Sequence, residues 1–142
     1  MTYDHNNIFA KILRGEIPAC TVYEDAHTLA FMDVMPQSDG HVLVIPKAAS
    51  MNIYEVTPDS LCSLIITTQM VARAAQHAFN ADGVTIMQFN GAAAGQTVPH
   101  LHFHVIPRYE GKPMRSHARE MADNKLLAAQ GEQLKQALAA LQ

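Results

Sequence analysis

HLHFHVIPR, residues 100–108, alternates histidine with bulky apolar residues and then closes on a proline. In an extended chain successive side chains point to opposite faces, so His100, His102 and His104 share one face while Leu101, Phe103 and Val105 share the other. The apolar set belongs in a core, and the histidine set borders a cleft or solvent. The residue types and the period of two mark the stretch as a strand.

Working outward, the neighbouring segments supply four more strands. VTIMQFN (84–90) lies upstream of it, HVLVIP (41–46) follows the turn signal SDG, and CTVYE and TLAFM flank the turn-like Glu24 to His27 as a hairpin. Short connections favour antiparallel pairing, because a parallel pair needs a long crossover. NIFAKILRG reads as a short helix capped by Asn7 and stopped by Gly15. Thr57-Pro58-Asp59 marks the start of the main helix. Leu61, Leu64, Ile65, Thr68, Val71, Ala72, Ala75, Ala78 and Phe79 form its apolar stripe, ending around Asn80 to Gly83. Leu127, Leu134, Leu138 and Leu141 describe a further helix from about Asn124, weakened in the middle by Gly131. The expected fold is α+β: a five-stranded antiparallel sheet with its helices on one side. It is read as one domain over residues 1–142, with a core at about 6–110 and a helical extension at about 120–142.

The chain has 142 residues, 10 Lys and Arg against 13 Asp and Glu, and a net charge of -3. That length is enough for a real core without covalent staples. No basic block could track a phosphate backbone, so a nucleic-acid polymer is not expected as a ligand. Cys20 and Cys62 lie far apart and form neither a disulfide framework nor a Cys-x-x-Cys, and both read as buried or half-buried thiols. With no signal pattern and no long apolar run, a soluble cytoplasmic protein is expected and membrane association is not.

Two chemistries fit three alternating histidines. Imidazole is a common zinc ligand, but residues i and i+4 on a strand lie roughly 13 Å apart, too far to close on one ion unaided. Alternatively, a neutral imidazole attacks an electrophile while a neighbour fixes its tautomer. The upstream loop NGAAAGQTVP (90–99) combines small residues with two glycines, so its N–H groups could approach an anion closely, although such a stretch also serves as a plain tight turn. It lacks the Gly-Lys-Ser/Thr of a P-loop.

HLHFHVIPR, together with NNIFAKILRGEIPA, VYEDAHTLAFMDVMPQSDGHVLVIPK and NGAAAGQTVPH, resembles the histidine-triad (HIT) family over about the first 110 residues, and within it the Hint-like branch. The resemblance implies a homodimer paired through the main helix and strand 4, and a reaction at the α-phosphorus of a purine nucleotide. It implies His102 as the nucleophile and a nucleotidyl-histidine intermediate that water resolves. His100 and His41 would orient and polarise the His102 ring, and His104 would stabilise charge on a phosphate oxygen. Gln96 and Thr97 match positions at the leaving group or phosphate, Thr97 standing where many Hint-like members have serine. Asn90 matches a position near phosphate and sugar, and Asp33 one that accepts from the ribose hydroxyls. Ile8, Phe9, Ile12, Phe31, Val34 and Leu43 match an apolar slot around the base. The alternative under the same resemblance is a nucleotide-binding or partner-binding module with vestigial catalysis.

Many bacterial relatives carry a zinc-binding Cys-x-x-Cys where this chain has Asn7 and Ala10, so no structural zinc and no cofactor are expected. Lys112, Arg115, His117 and Arg119 form a basic patch that is either a solvated loop or a contact for distal phosphates. His5, His27, His77 and His117 read as surface residues.

Overall fold

A computed structural model describes residues 2–115 and 121–141. The element order is α1 (Ile8–Leu13), β1 (Thr21–Glu24), β2 (Thr28–Met32), β3 (Val42–Pro46), α2 (Pro58–Ala78), β4 (Gly83–Met87), β5 (Phe103–Arg108) and α3 (Asn124–Leu141). The strands form one sheet in the order β1-β2-β3-β5-β4, and every pairing is antiparallel. The β1–β2 hairpin turns on Asp25, whose Oδ1 accepts from the N–H groups of His27 and Thr28 and from the Thr28 hydroxyl. A carboxylate that satisfies the turn's own donors sets the hairpin locally.

The two faces of the sheet are separate cores. Ala30, Met32, Val42 and Val44 pack with Leu64, Val71, Leu134 and Leu138 of α2 and α3. The alternate residues Leu29, Phe31, Leu43 and Ile45 pack with Phe9 of α1. Helices therefore cover both faces, which corrects the one-sided arrangement expected above. A strand covered on both sides loses its polar alternation, and β2 and β3 are buried at every position. Each large apolar side chain so buried contributes about 1.5–3 kcal/mol of transfer free energy.

Helix α2 starts as its sequence dictates, with the Thr57 side chain accepting from Ser60 N–H and proline in the first turn. Thr67 and Ala74 join the buried stripe, and Thr67 and Thr28 share a buried hydroxyl–hydroxyl bond of 2.8 Å that ties α2 to β2. Ile65, by contrast, is exposed, as are Ile66 and Ile86. Cys62 is exposed too, unlike the half-buried Cys20.

Helix α3 runs unbroken through Gly131. An added Cβ there would lie 2.8 Å from Cys20 Sγ, so the missing side chain lets α3 lie close against the strand layer. Gly40, at φ 87°, plays a comparable part: a Cβ would meet the Phe79 ring at 2.6 Å. The chain can thus pass directly over Phe79 and deliver His41.

The fifth strand begins at Phe103, later than the alternation suggests. Pro99 has no N–H to give a ladder, His100 N–H turns back to the Val98 carbonyl, and Leu101 N–H goes to Ser50. The alternation of faces survives nonetheless. Leu101 and Val105 are fully buried in the α2-side core, and Phe103 packs against it. The fourth strand likewise stops at Met87, before Gln88–Asn90.

Candidate active site

All three triad histidines are buried, but they are held in different ways. The His102 Nδ1 lies 2.7 Å from the His100 carbonyl oxygen. A carbonyl only accepts, so Nδ1 carries the proton and the lone pair is at Nε2. A second chain of bonds fixes His104. Gln37 N–H donates to His41 Nδ1 at 3.0 Å, which puts the His41 proton on Nε2; that Nε2–H donates to His104 Nδ1 at 3.0 Å. The His104 proton is therefore on Nε2. Asp33 Oδ2 stands 3.5 Å from His41 Nε2, and Asp33 Oδ1 accepts from Met35 N–H.

His41 and His100 make different contacts. Both His41 ring nitrogens are engaged by Gln37 and His104, so the ring it orients is His104. His100 orients His102 through its backbone carbonyl, because its own ring is held between the Tyr3 hydroxyl (2.6 Å) and the Pro46 carbonyl (2.8 Å). Complete burial pushes the His100 pKa down to about 4. Tyr3 is not legible in the sequence, because a lone tyrosine in a polar stretch carries no local signal.

His102, His104 and Thr97 stand where two cavities meet. One, of about 280 Å³, is lined by all six expected apolar residues, Ile8, Phe9, Ile12, Phe31, Val34 and Leu43, and also by Asp33, Ile17, Pro18 and Val98. The other, of about 230 Å³, is lined by Gln37, Met87, Phe89 and Gly95. Phe9 turns its ring edge-on to His102 at 4.9 Å, and Phe89 does the same to His104 at 5.5 Å.

Gln96 and Asn90 are both held by loop hydrogen bonds. Gln96 Oε1 accepts from Gly91 N–H and its Nε2 donates to the Met51 and Val98 carbonyls. Asn90 exchanges two amide bonds with Gln88 and accepts from Ile53 N–H. Neither lines the two cavities; both clasp the loops around them. The Gly-Ala loop is a closed turn in which the N–H groups of Gly91, Ala94, Gly95 and Gln96 bond within the loop. Those four donors do not form an open phosphate cradle.

A thiolate zinc site does not fit this chain. Asn7 Oδ1 accepts from Ala10 N–H to cap α1, its Nδ2 donates to the Asp4 carbonyl, and Ala10 offers no ligand atom. Asp33, His41 and His104 place ligand atoms within 4.8 Å of one another and so could hold an ion, but a metal there would have to displace the proton shared by the two imidazoles. Of the basic patch, Arg115 pairs with Asp39 at 3.1 Å and Lys112 lies over the Tyr109 ring, while His117 and Arg119 fall outside the described residues. His5, His27 and His77 are exposed; His117 again falls outside.

The sheet, the covering helices and the histidine-lined cleft define a class that comparison with known proteins identifies. The HIT domain model matches residues 14–111. An uncharacterized HIT-like protein of Methanocaldococcus jannaschii is 47% identical over 104 residues, 73% of this chain and 80% of that one. An adenosine 5'-monophosphoramidase of Schizosaccharomyces pombe is 38% identical over 101 residues, 71% of this chain and 73% of that one. The crystal structure of a HIT-like protein from Bartonella henselae, described as involved in cell-cycle regulation, superposes with a TM-score of 0.93 at 47% identity, covering 96% of this chain and 99% of that one. The chain belongs to the HIT family. Among the described residues no helix is long and apolar enough to cross a membrane.

Proposed function

We propose that the protein is a nucleotide hydrolase or transferase acting at the α-phosphorus of purine nucleotides, of the nucleoside phosphoramidase or dinucleoside polyphosphate hydrolase type. The observation that carries this reading is the His102 tautomer: Nδ1–H is held by a backbone carbonyl at 2.7 Å, which directs the nucleophilic lone pair to Nε2 on a ring that lines both cavities.

In this scheme the base occupies the 280 Å³ apolar slot, whose aliphatic and aromatic walls favour a flat ring without choosing strongly between purines. Asp33 lines the same slot and accepts from the ribose hydroxyls. His102 Nε2 attacks the α-phosphorus. A P–Nε2 bond forms, and the bond from phosphorus to the leaving nitrogen or oxygen breaks. The leaving group departs with the electron pair into the 230 Å³ cavity and takes a proton from solvent. The His104 Nε2–H and the Thr97 hydroxyl stabilise charge on the non-bridging oxygens. Water then attacks phosphorus and gives up a proton to solvent, the P–Nε2 bond breaks with its electron pair returning to Nε2, and the monophosphate leaves with the neutral imidazole regenerated.

The test is His102→Ala and His102→Asn. Turnover of adenosine phosphoramidate should be abolished while binding of the monophosphate is retained; undiminished turnover contradicts the scheme. Initial rates on adenosine phosphoramidate and on a dinucleoside tetraphosphate decide the leaving-group class.

The same proposal includes a homodimer. Supporting it are three exposed isoleucines, Ile65 and Ile66 on α2 and Ile86 on the edge strand β4. Ile86→Glu should yield a monomer by sedimentation.

A further inference from the structure

His100, like His41, is a buried imidazole to which the reaction scheme gives no chemical step. Its Nε2 meets the Pro46 carbonyl oxygen at 2.8 Å, and since a carbonyl only accepts, the proton is on Nε2. Nδ1 is then an acceptor, and the Tyr3 hydroxyl, 2.6 Å away, is its donor. The Tyr3 ring also meets the His100 ring edge-on at 5.7 Å. The residue after Tyr3 is tied down: the Asp4 carbonyl accepts from both the backbone N–H and the side-chain amide of Asn7, the cap of α1. Residue 100 thus lies between two fixed points, and its carbonyl is the group that holds His102 Nδ1–H at 2.7 Å.

We infer that Tyr3, 97 residues from His100 in sequence, is a positioning residue for His102: its hydroxyl locks the His100 ring, and through it the carbonyl that sets the His102 tautomer and aim. The inference deepens the proposed reaction and rests on His102 being its nucleophile. Without the hydroxyl, His100 Nδ1 is a buried acceptor with no donor. Such a ring gains by rotating or exchanging tautomers, and either motion releases residue 100. Neither Tyr3 nor His100 lines the slot, so a misaimed nucleophile costs rate and not affinity.

Nitrogen-15 NMR of the imidazoles tests the lock in the native protein. The account requires neutral His100 in the Nε2–H form and His102 in the Nδ1–H form at neutral pH. Tyr3→Phe should lower kcat about tenfold, equivalent to about 1.4 kcal/mol, with KM and monophosphate affinity unchanged and the His100 nitrogen signals shifted toward tautomer exchange. In a His100→Gln background the same Tyr3→Phe change should add no further loss. A wild-type His100 in the Nδ1–H form overturns the inference, even if the Gln variant does not fold. Wild-type kcat with unaltered imidazole shifts in Tyr3→Phe overturns it as well, as does an equal loss in both backgrounds. A failure of the reaction scheme reads out separately, as the absence of nucleotide on His102, and leaves the tautomer measurement standing.

Discussion

Mild acid should destabilise this fold through one imidazole. His100 is completely buried, and burial lowers its pKa from 6.5 to about 4 in the folded chain. The unfolded chain takes up a proton as the pH drops below about 6.5, whereas the folded chain does so only near 4. Between those values the unfolded state binds more protons, so stability falls as the pH falls. The contribution is fully present above pH 6.5 and is lost by pH 4; a depression of this size corresponds to about 3 kcal/mol, a large share of the 5–15 kcal/mol typical of a domain. Urea unfolding of wild type and His100→Gln across pH 4 to 7.5 isolates it, because the carboxylates titrate in both proteins. Glutamine can accept from Tyr3 and donate to Pro46 but cannot take up the proton. The difference in unfolding free energy between the two proteins should change by about 3 kcal/mol across that range. Parallel pH profiles would refute the reasoning.

Three further outcomes follow from packing, capping and the proposed chemistry. Gly131→Ala sets a Cβ 2.8 Å from Cys20 Sγ and should cost about 1–3 kcal/mol by thermal unfolding; adding Cys20→Ala should recover most of that, and strict additivity would contradict the contact. Asn7→Ala removes the α1 cap and should cost about 1 kcal/mol. Monophosphate binding should weaken too, because α1 carries Phe9 into the slot; unchanged affinity would show the slot to be independent of the cap. Dialysis against a chelator should leave turnover unchanged, and a loss restored by zinc would show that the reaction needs a metal.

Much of this molecule is legible in its sequence because the relevant signals are local. Period-two alternation in Leu101, Phe103 and Val105, the Asp25 turn and the Thr57-Pro58 start each depend on neighbours within a few residues, and the elements they predict are present. The apolar slot was legible for a different reason, since the resemblance supplied positions that composition alone reads as core. What escaped is contact between distant segments. Nothing near Tyr3 announces His100, and nothing near Gly131 announces Cys20. Helix α1 on the far side of the sheet is a matter of how the chain enters the fold. Gln96 and Asn90 illustrate a further limit: nothing local in the sequence shows that these amides also close the loops, through Gly91, Met51, Val98, Gln88 and Ile53. His41 meets His104, and which ring it touches depends on the register of β3 against β5.

The most direct test of the central claim is to trap the intermediate. During turnover of adenosine phosphoramidate, rapid alkaline quenching and peptide mass spectrometry should find adenylate on the peptide bearing His102, appearing before the monophosphate and absent from His102→Asn. Turnover with no nucleotide on that peptide at any time point, together with an active His102→Asn variant, would contradict the account.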